Sequence, residues 1–457
     1  MNKLSLDNLK PNSTIHMIGI GGISMSGLAD ILMYFGYKVT GSDMTETHIT
    51  KKLRTQGAEI AIGQRAENIK NPDLVCFTAA IKQDNPELKA AKEKGIPLIE
   101  RAALLGEIMR NYKFPLAVAG THGKTTTTSM LSLILLEANT DPTVLVGGEL
   151  PQINGNYRIG DNKYLVFEAC EYVESFLNFH PFLSIITNIE EDHLDYFVNL
   201  SHIITSFEKF SRLNSPHGTI IVCSDDKNAP LVVQNIETKV QKYAIYDKNA
   251  DFIAYDIENK AGGGCEYKIK HCGEYLMTVK LNVIGKHNVL NSLAAAAAAY
   301  SIGIAPEAIK NGLLNFHGTK RRFEKVGKFS GVEVMEDYAH HPTEIRSTLE
   351  TARQLGKRKI WCIFQPHTYS RTKAFTDDFA KALSIADRVM LADIYPAREK
   401  YDGSIHSCDL AAKIPGCTYI NDFSAIERYI KANAEPGDLV ITMGAGDIFK
   451  VGKAIIS

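Results

Sequence analysis

Residues 116–130 read LAVAGTHGKTTTTSM. An apolar run, 116–119, delivers the chain to Gly120. A second glycine stands at 123, Lys124 and Thr125 follow, and a helix-like stretch runs on to about 139. A strand that turns on glycines straight into a helix builds an anion site. The first N–H groups of the helix have no partner within it and carry partial positive charge. Gly120 and Gly123 keep side chains out of an anion's approach to the backbone. Lys124 adds a full charge for β/γ-phosphates, and the Thr125 hydroxyl suits Mg²⁺. The general pattern of G, four residues, then GK[ST] would need a glycine at 118, where Val118 stands. The stretch therefore reads as a nucleotide-phosphate loop of unusual spacing inside a parallel α/β domain.

Working outward, the chain divides into three blocks of strand followed by helix. The first opens with TIHMIGIGG (14–22), continues through a helix-like stretch at 25–35 and a strand at 37–43, and reaches about residue 110. Residues 111–115 read as a linker. The second block starts with the phosphate loop and has later strands at 164–167 and 183–187. Residues 239–285 read as short strands with glycine turns at Gly262–Gly264 and Gly273, an antiparallel insertion, before a helix at 288–300 stopped by Gly303. The third block begins near Lys320, with strands at 332–336, 360–364, 389–392 and 439–443. Strands alternating with helices predict mostly parallel, doubly wound sheets.

The whole chain sets limits on this reading. Its 457 residues fit two to four domains, three being central. With 51 basic against 52 acidic residues the net charge is −1, which argues against a generic nucleic-acid surface but leaves room for a local anion site. The eight cysteines form no CxxC pair and no histidine cluster has zinc-ligand spacing, a pattern of a reducing compartment and hence of the cytoplasm. The N-terminus carries no run of signal-peptide type. The longest apolar run, 293–300, is mostly alanine and too short to span a membrane.

Further candidates sit at strand ends, where parallel sheets collect ligands. Glu168 ends the apolar strand YLVFE, and His193 lies just past LSIITNI; either could hold a metal, or be a solvated strand-end acid and a loop residue. Asn288, in GKHNVLNS, could cap the following helix or bond a nucleobase edge. GIGGIS (19–24) follows a strand and opens a helix, with Asp43 ending the next strand. That is nearly a dinucleotide fingerprint, with Ser24 in the third glycine position. Two glycine loops in one chain point to two nucleotides, ATP and a nucleotide-linked substrate.

Taken together, GIGGISMSG (19–27), GSD (41–43), GTHGKTTTT (120–128), FEACEY (167–172), TNIEEDH (187–193), GKHNVLNS (285–292), KRRFE (320–324), DYAHHPTE (337–344), FQPHTYSRT (364–372), YPAREK (395–400) and TMGAGD (442–447) closely resemble the Mur ligase family almost end to end. The resemblance implies three domains. These are an N-terminal Rossmann-like UDP-sugar domain (1–112), a central P-loop ATPase-type α/β domain with an antiparallel insertion (113–318), and a C-terminal Rossmann-like amino-acid domain (319–457). It implies ATP-dependent ligation of L-alanine to the lactyl carboxylate of UDP-N-acetylmuramate in peptidoglycan synthesis, through an acyl phosphate and a tetrahedral intermediate. ATP would sit on Gly120, Thr121, His122, Gly123, Lys124, Thr125, Thr126, Asn288 and Arg322. Mg²⁺, expected as two ions, would sit on Thr125, Glu168 and His193. The UDP-sugar would meet Gly19, Gly21, Gly22, Ser24, Ser42 and Asp43. Tyr338, His340, His367 and Arg371 would face alanine, with His341 nearby. Lys124, Glu168, His193, His340 and Arg371 are the catalytic candidates. Many family members carry Arg after the His of FQPH, where this chain has Thr368. The partners implied are small molecules, with no nucleic acid, no membrane insertion, and a monomeric or weakly dimeric chain.

Three other readings compete. A recycling ligase would attach a whole tripeptide to the same UDP-sugar. A nicotinamide-dependent oxidoreductase would use the first glycine motif, against which Ser24 and the second loop weigh. A non-catalytic UDP-sugar binder would not need Lys124, Glu168 and His193.

Overall fold

The computed structural model describes Leu6 and residues 9–457 apart from 79, 261 and 262. Residues 1–5, 7 and 8 of the N-terminal reading, and Gly262 of the glycine turn, lie outside the described residues. Three sheets follow one another along the chain. The first is wholly parallel, in the order Glu59–Ile62, Lys38–Asp43, Thr14–Ile18, Leu74–Phe77, Leu98–Glu100. Its central strand is covered on both faces, with Ile15, Met17 and Ile18 fully buried, which is why it reads as an unbroken apolar run. The strand order reverses beside Thr14–Ile18, and Gly19–Gly22 emerge at that switch point, where a crevice opens.

The second sheet has ten strands: Glu274–Leu281, Cys265–His271, Phe252–Asn259, Lys239–Ala244, Thr219–Cys223, Leu183–Ile186, Phe114–Ala119, Asp161–Glu168, Pro142–Leu150 and Gly155–Arg158. The expected insertion at 239–285 is only partly antiparallel. Lys239–Ala244 pairs parallel with Thr219–Cys223, and Phe252–Asn259 joins it in parallel at Tyr243–Phe252. Only the meander from Phe252 to Leu281 runs antiparallel. The strand Pro142–Leu150 and the edge strand Gly155–Arg158 have no clear sequence signal, because Gly147, Gly148, Asn154 and Gly155 break the alternation.

The third sheet runs Glu324–Phe329, Val332–Asp337, Leu439–Met443, Ile360–Phe364, Arg388–Leu391, Thr418–Tyr419, parallel except for the first hairpin. The cores are not equally shared. One hydrophobic cluster extends from Ile15 and Leu28 through Tyr112 to Ala117, Phe167 and Phe207, fusing the first unit to the second. The third sheet has its own clusters around Phe364 and Trp361. Among the described residues no helix is long and apolar enough to cross a membrane.

Candidate active site

The loop after Phe114–Ala119 takes its shape from its two glycines. Gly120 has φ +132° and Gly123 φ +82°, and Gly123 caps the helix Lys124–Glu137. The adjacent strand Leu183–Ile186 extends into Thr187 and Asn188, which clamp the loop. Thr121 N donates to the Asn188 carbonyl (2.9 Å), His122 N to Asn188 Oδ1 (2.8 Å), and Thr187 Oγ1 to the His122 carbonyl (2.6 Å). A Cβ on Gly120 would collide with Thr187 Oγ1. The Lys124 ammonium lies folded within the loop, donating to the carbonyls of Gly120 (2.5 Å) and Thr121 (3.1 Å) and to both oxygens of buried Glu171 (2.9 and 3.2 Å). Burial disfavours the ammonium, but Glu171 outweighs it and the pKa lies above the ordinary lysine value.

Thr125 and Glu168 flank one hairpin. Glu168 Oε1 accepts from Gly147 N at 2.5 Å, and a Cβ on Gly148 would stand 3.2 Å from Thr125 Cγ2. Glu168 also lines a cleft with Ser24, Arg101, Asn156 and Cys170, so the first glycine motif opens toward the strand-end carboxylate. Asn156 Nδ2 donates to the Ile23 carbonyl (2.9 Å) across that junction. Asp43 does not stand free for a ribose. Its Oδ2 accepts from Gly21 N at 2.9 Å, and a Cβ at Gly21 would come within 2.8 Å of the same oxygen. Ser42 is buried and donates to Glu87 (2.6 Å).

A second cleft, beside the loop, is lined by His122, Gly123, Thr126, Asn288 and Arg322, with Glu190, Asp337 and Glu344. It gathers most of the nucleotide candidates from both sides of a junction between the second and third units. Asn288 uses Nδ2 on the Ile284 carbonyl (2.8 Å), while Asn291, one turn on, stands against Gly123. His122 lies between two carboxylates, 3.3 Å from Glu344 and 3.6 Å from Glu190. Burial opposes its charge, but these neighbours prevail and raise its pKa to about 9. Burial lifts the Asp337 carboxyl to about 6 against the pull of Arg322.

The third unit brings a chain of rings. Arg321 and Arg322 stack on Tyr338 (4.8 and 5.1 Å), Tyr338 meets His340 edge-on (5.4 Å), and His340 meets His367 (5.7 Å). Burial pushes the pKa of His340 down to about 3 and of His367 to about 4, so both rings are neutral near pH 7. Arg371 is tied to Asp192. Its Nε and Nη2 donate to Asp192 Oδ1 (3.0 and 2.7 Å), and Nη1 lies 3.2 Å from His367 Nδ1. His341 Nε2 donates to the Glu191 carbonyl (3.0 Å), and Thr343 Oγ1 to Glu190 (2.6 Å). His193, at φ +52°, packs against the Tyr172 ring at a tilt (4.6 Å) and lines a third cleft with Asp192, His367, Thr368, Arg371 and Arg398.

The structure thus gathers the loop, Asn288 and Arg322 at one cleft, Ser24 and Glu168 at a second, and His193, His367 and Arg371 at a third. Sequence reasoning passed over Thr187, Asn188, Glu171, Asp192, Glu344 and Arg398. All sit inside the motifs quoted above, but their partners lie up to 179 residues away, which no spacing rule reveals.

A glycine phosphate loop under a third α/β unit defines a class, and family models agree on which. "Mur ligase family, catalytic domain" matches residues 14–113, "Mur ligase middle domain" 118–299, and "Mur ligase, glutamate ligase domain" 321–446. The chain belongs to the Mur ligase family. Among individual relatives, the UDP-N-acetylmuramate–L-alanine ligase of Acetivibrio thermocellus is 50% identical over 100% of this chain and 98% of its own. The crystal structure of UDP-N-acetylmuramate-alanine ligase from Thermotoga maritima superposes with a TM-score of 0.80 at 31% identity, covering 97% of this chain and 98% of that one. A murein peptide ligase from Psychrobacter arcticus follows at 0.73 and 28%, with coverage of 97% and 98%.

Proposed function

We propose that this chain joins the amino group of L-alanine to the lactyl carboxylate of UDP-N-acetylmuramate, with ATP giving ADP and phosphate. The observation that carries the reading is the cleft in which Ser24, beside the first glycine motif, faces Glu168 next to the phosphate loop. A substrate held at GIGGIS would reach the phosphoryl donor there. The 50% identical relative, an alanine ligase by name, supports the same choice.

The residues fit such a reaction. A carboxylate is a poor acyl donor, so its oxygen must first take the γ-phosphoryl group, breaking the β–γ bond and forming an acyl phosphate. Two anions must meet for this, and Lys124 with the Gly120–Thr126 backbone would neutralise them. To do so Lys124 exchanges Glu171 for phosphate oxygens, and Glu171 keeps it oriented beforehand. The Thr125 hydroxyl and Glu168 carboxylate, which flank one hairpin, are oxygen donors that fit Mg²⁺ beside a phosphate, and the His193 imidazole, in the third cleft, would serve the second of the two ions expected; bound there, metal would supply further charge neutralisation. Asn288 and Arg322 would hold the nucleotide. Gly19, Gly21, Gly22 and Ser24 would hold the UDP-sugar, with Ser42 and Asp43 fixing that loop from behind. The alanine amine then attacks the acyl carbon, the tetrahedral centre collapses, and phosphate leaves. Tyr338, His340 and His367, the latter two uncharged, would line the alanine side. Water must be excluded meanwhile, and the bonds from Asp192, Glu190 and Glu191 to Arg371, Thr343 and His341 keep the third unit closed over the loop.

The same reading takes the domains as 1–112, 113–318 and 319–457, the chain as a monomer or weak homodimer, and the cytoplasm as its site. All eight cysteines are free thiols, in keeping with that compartment. The test is phosphate release with ATP, Mg²⁺ and UDP-N-acetylmuramate, comparing L-alanine, glycine, L-serine and a tripeptide. Alanine-dependent release is expected. Release with the tripeptide alone would move the chain to the recycling reaction. Lys124→Ala should abolish release while UDP-sugar binding, read by calorimetry, persists.

A further inference from the structure

The third cleft, about 310 Å³ between the second and third units, is lined by three carboxylates, Asp192, Asp195 and Glu399, and two guanidiniums, Arg371 and Arg398, which differ in what already holds them. Arg371 is paired with Asp192 through two hydrogen bonds, and a third nitrogen lies 3.2 Å from His367 Nδ1. The Glu399 carboxylate is taken up by Tyr369 N (2.6 Å) and Ser370 N (3.0 Å). Asp195 accepts from the Tyr172 hydroxyl (2.9 Å). Thr368 brings no charge, and its hydroxyl caps the helix Tyr369–Ala374 through Arg371 N (3.4 Å). His367 is neutral. One cation remains. Arg398 lines the same cleft, makes no ion pair among the described residues, and is exposed; the group its charge acts on is Tyr172, on the facing wall.

Its backbone is not loose. Tyr395 N donates to the Pro366 carbonyl (2.8 Å), Thr368 N to the Tyr395 carbonyl (2.9 Å), and the Tyr395 ring stacks on His367 (5.6 Å). With Glu399 fastened to Tyr369 and Ser370, the residues on either side of Arg398 are pinned to the segment that carries His367 and Arg371. An amino acid entering this cleft brings a carboxylate that the reaction leaves untouched, and burying it without a cation is costly. A guanidinium matches a carboxylate with two parallel hydrogen bonds.

We propose that Arg398 binds the α-carboxylate of the incoming amino acid and so selects α-amino acids over neutral amines. The proposal rests on the ligase reading above and names the residue that fixes its amine substrate. Arg398→Ala should raise KM for L-alanine roughly 10- to 100-fold, the range for losing hydrogen bonds to a charged group. KM for ATP and for UDP-N-acetylmuramate should stay within about twofold, and Tm should be unchanged because the side chain is exposed. L-Alaninamide, which lacks the carboxylate charge, supplies the second readout. The wild type should favour alanine over alaninamide by a margin that Arg398→Ala erases, and Arg398→Lys should keep part of it. An Arg398→Ala enzyme with unchanged KM for alanine and unchanged discrimination overturns the assignment alone, provided the wild type shows alanine-dependent phosphate release. Absence of that release in the wild type overturns the ligase reading as well.

Discussion

The pair Arg371–Asp192 offers the sharpest test of how this molecule works. Both side chains are 9% exposed and joined by hydrogen bonds of 2.7 and 3.0 Å between units that do not share a core. Breaking a buried pair by removing one partner costs about 3–5 kcal/mol, because a charge is left buried alone. Here the abandoned Asp192 has an escape, since the third unit can swing away and let water in. The penalty should therefore fall on closure rather than on folding. At 1.36 kcal/mol per tenfold, Arg371→Ala should lower kcat/KM by about 10²- to 10³-fold, the lower end of that cost. Tm should fall by less than about 3 °C, since the hydrophobic clusters around Phe364 and Trp361 are untouched. Phosphate release and thermal denaturation would be measured for Arg371→Ala, Asp192→Asn and the double variant. A clamp predicts that the double variant loses little more than either single one. Additive losses would mean that Arg371 acts chiefly on substrate, and a loss below about threefold would refute the clamp altogether.

Other outcomes follow from local geometry. Gly123→Ala places a Cβ 2.5 Å from Asn291 Oδ1 at φ +82°, a left-handed conformation costing an L-residue about 1–2 kcal/mol. KM for ATP should rise at least about tenfold, and an unaltered KM would show that the loop tolerates the side chain. His122, with its pKa raised to about 9 by Glu190 and Glu344, gives the closed form stability that is complete below the ordinary histidine value near 6.5 and lost as pH rises through about 9. Small-angle scattering should show the radius of gyration growing between pH 7 and 10 in the wild type but constant in His122→Asn. A flat wild-type profile would remove His122 from the closure contacts.

Much of this was readable from local pattern. The alternation of apolar strand, glycine turn and helix announces parallel sheets, because strands buried on both faces must be apolar throughout, as Leu116–Ala119 is. Glycines needed for positive φ betray the phosphate loop, and acids at strand ends betray Glu168. Gly155–Arg158 leaves no signal, since an edge strand held by one neighbour needs no strict pattern, and Pro142–Leu150, though paired on both sides, is interrupted by Gly147 and Gly148. Lys239–Ala244 reads like the antiparallel meander that follows it, because pairing direction leaves no mark on composition.

The sequence by itself determined the kinds of chemistry available: a phosphate loop, a strand-end carboxylate, and clusters of histidine and arginine. Only the tertiary structure decided which charges remain free. Arg371 and Arg398 look alike in sequence, each a basic residue in a polar motif. In the fold one is spent on an aspartate 179 positions away, while the other faces an open cleft and makes no ion pair among the described residues. A charge's function depends on what has already neutralised it, and that is a property of distances through space, which residue order does not contain.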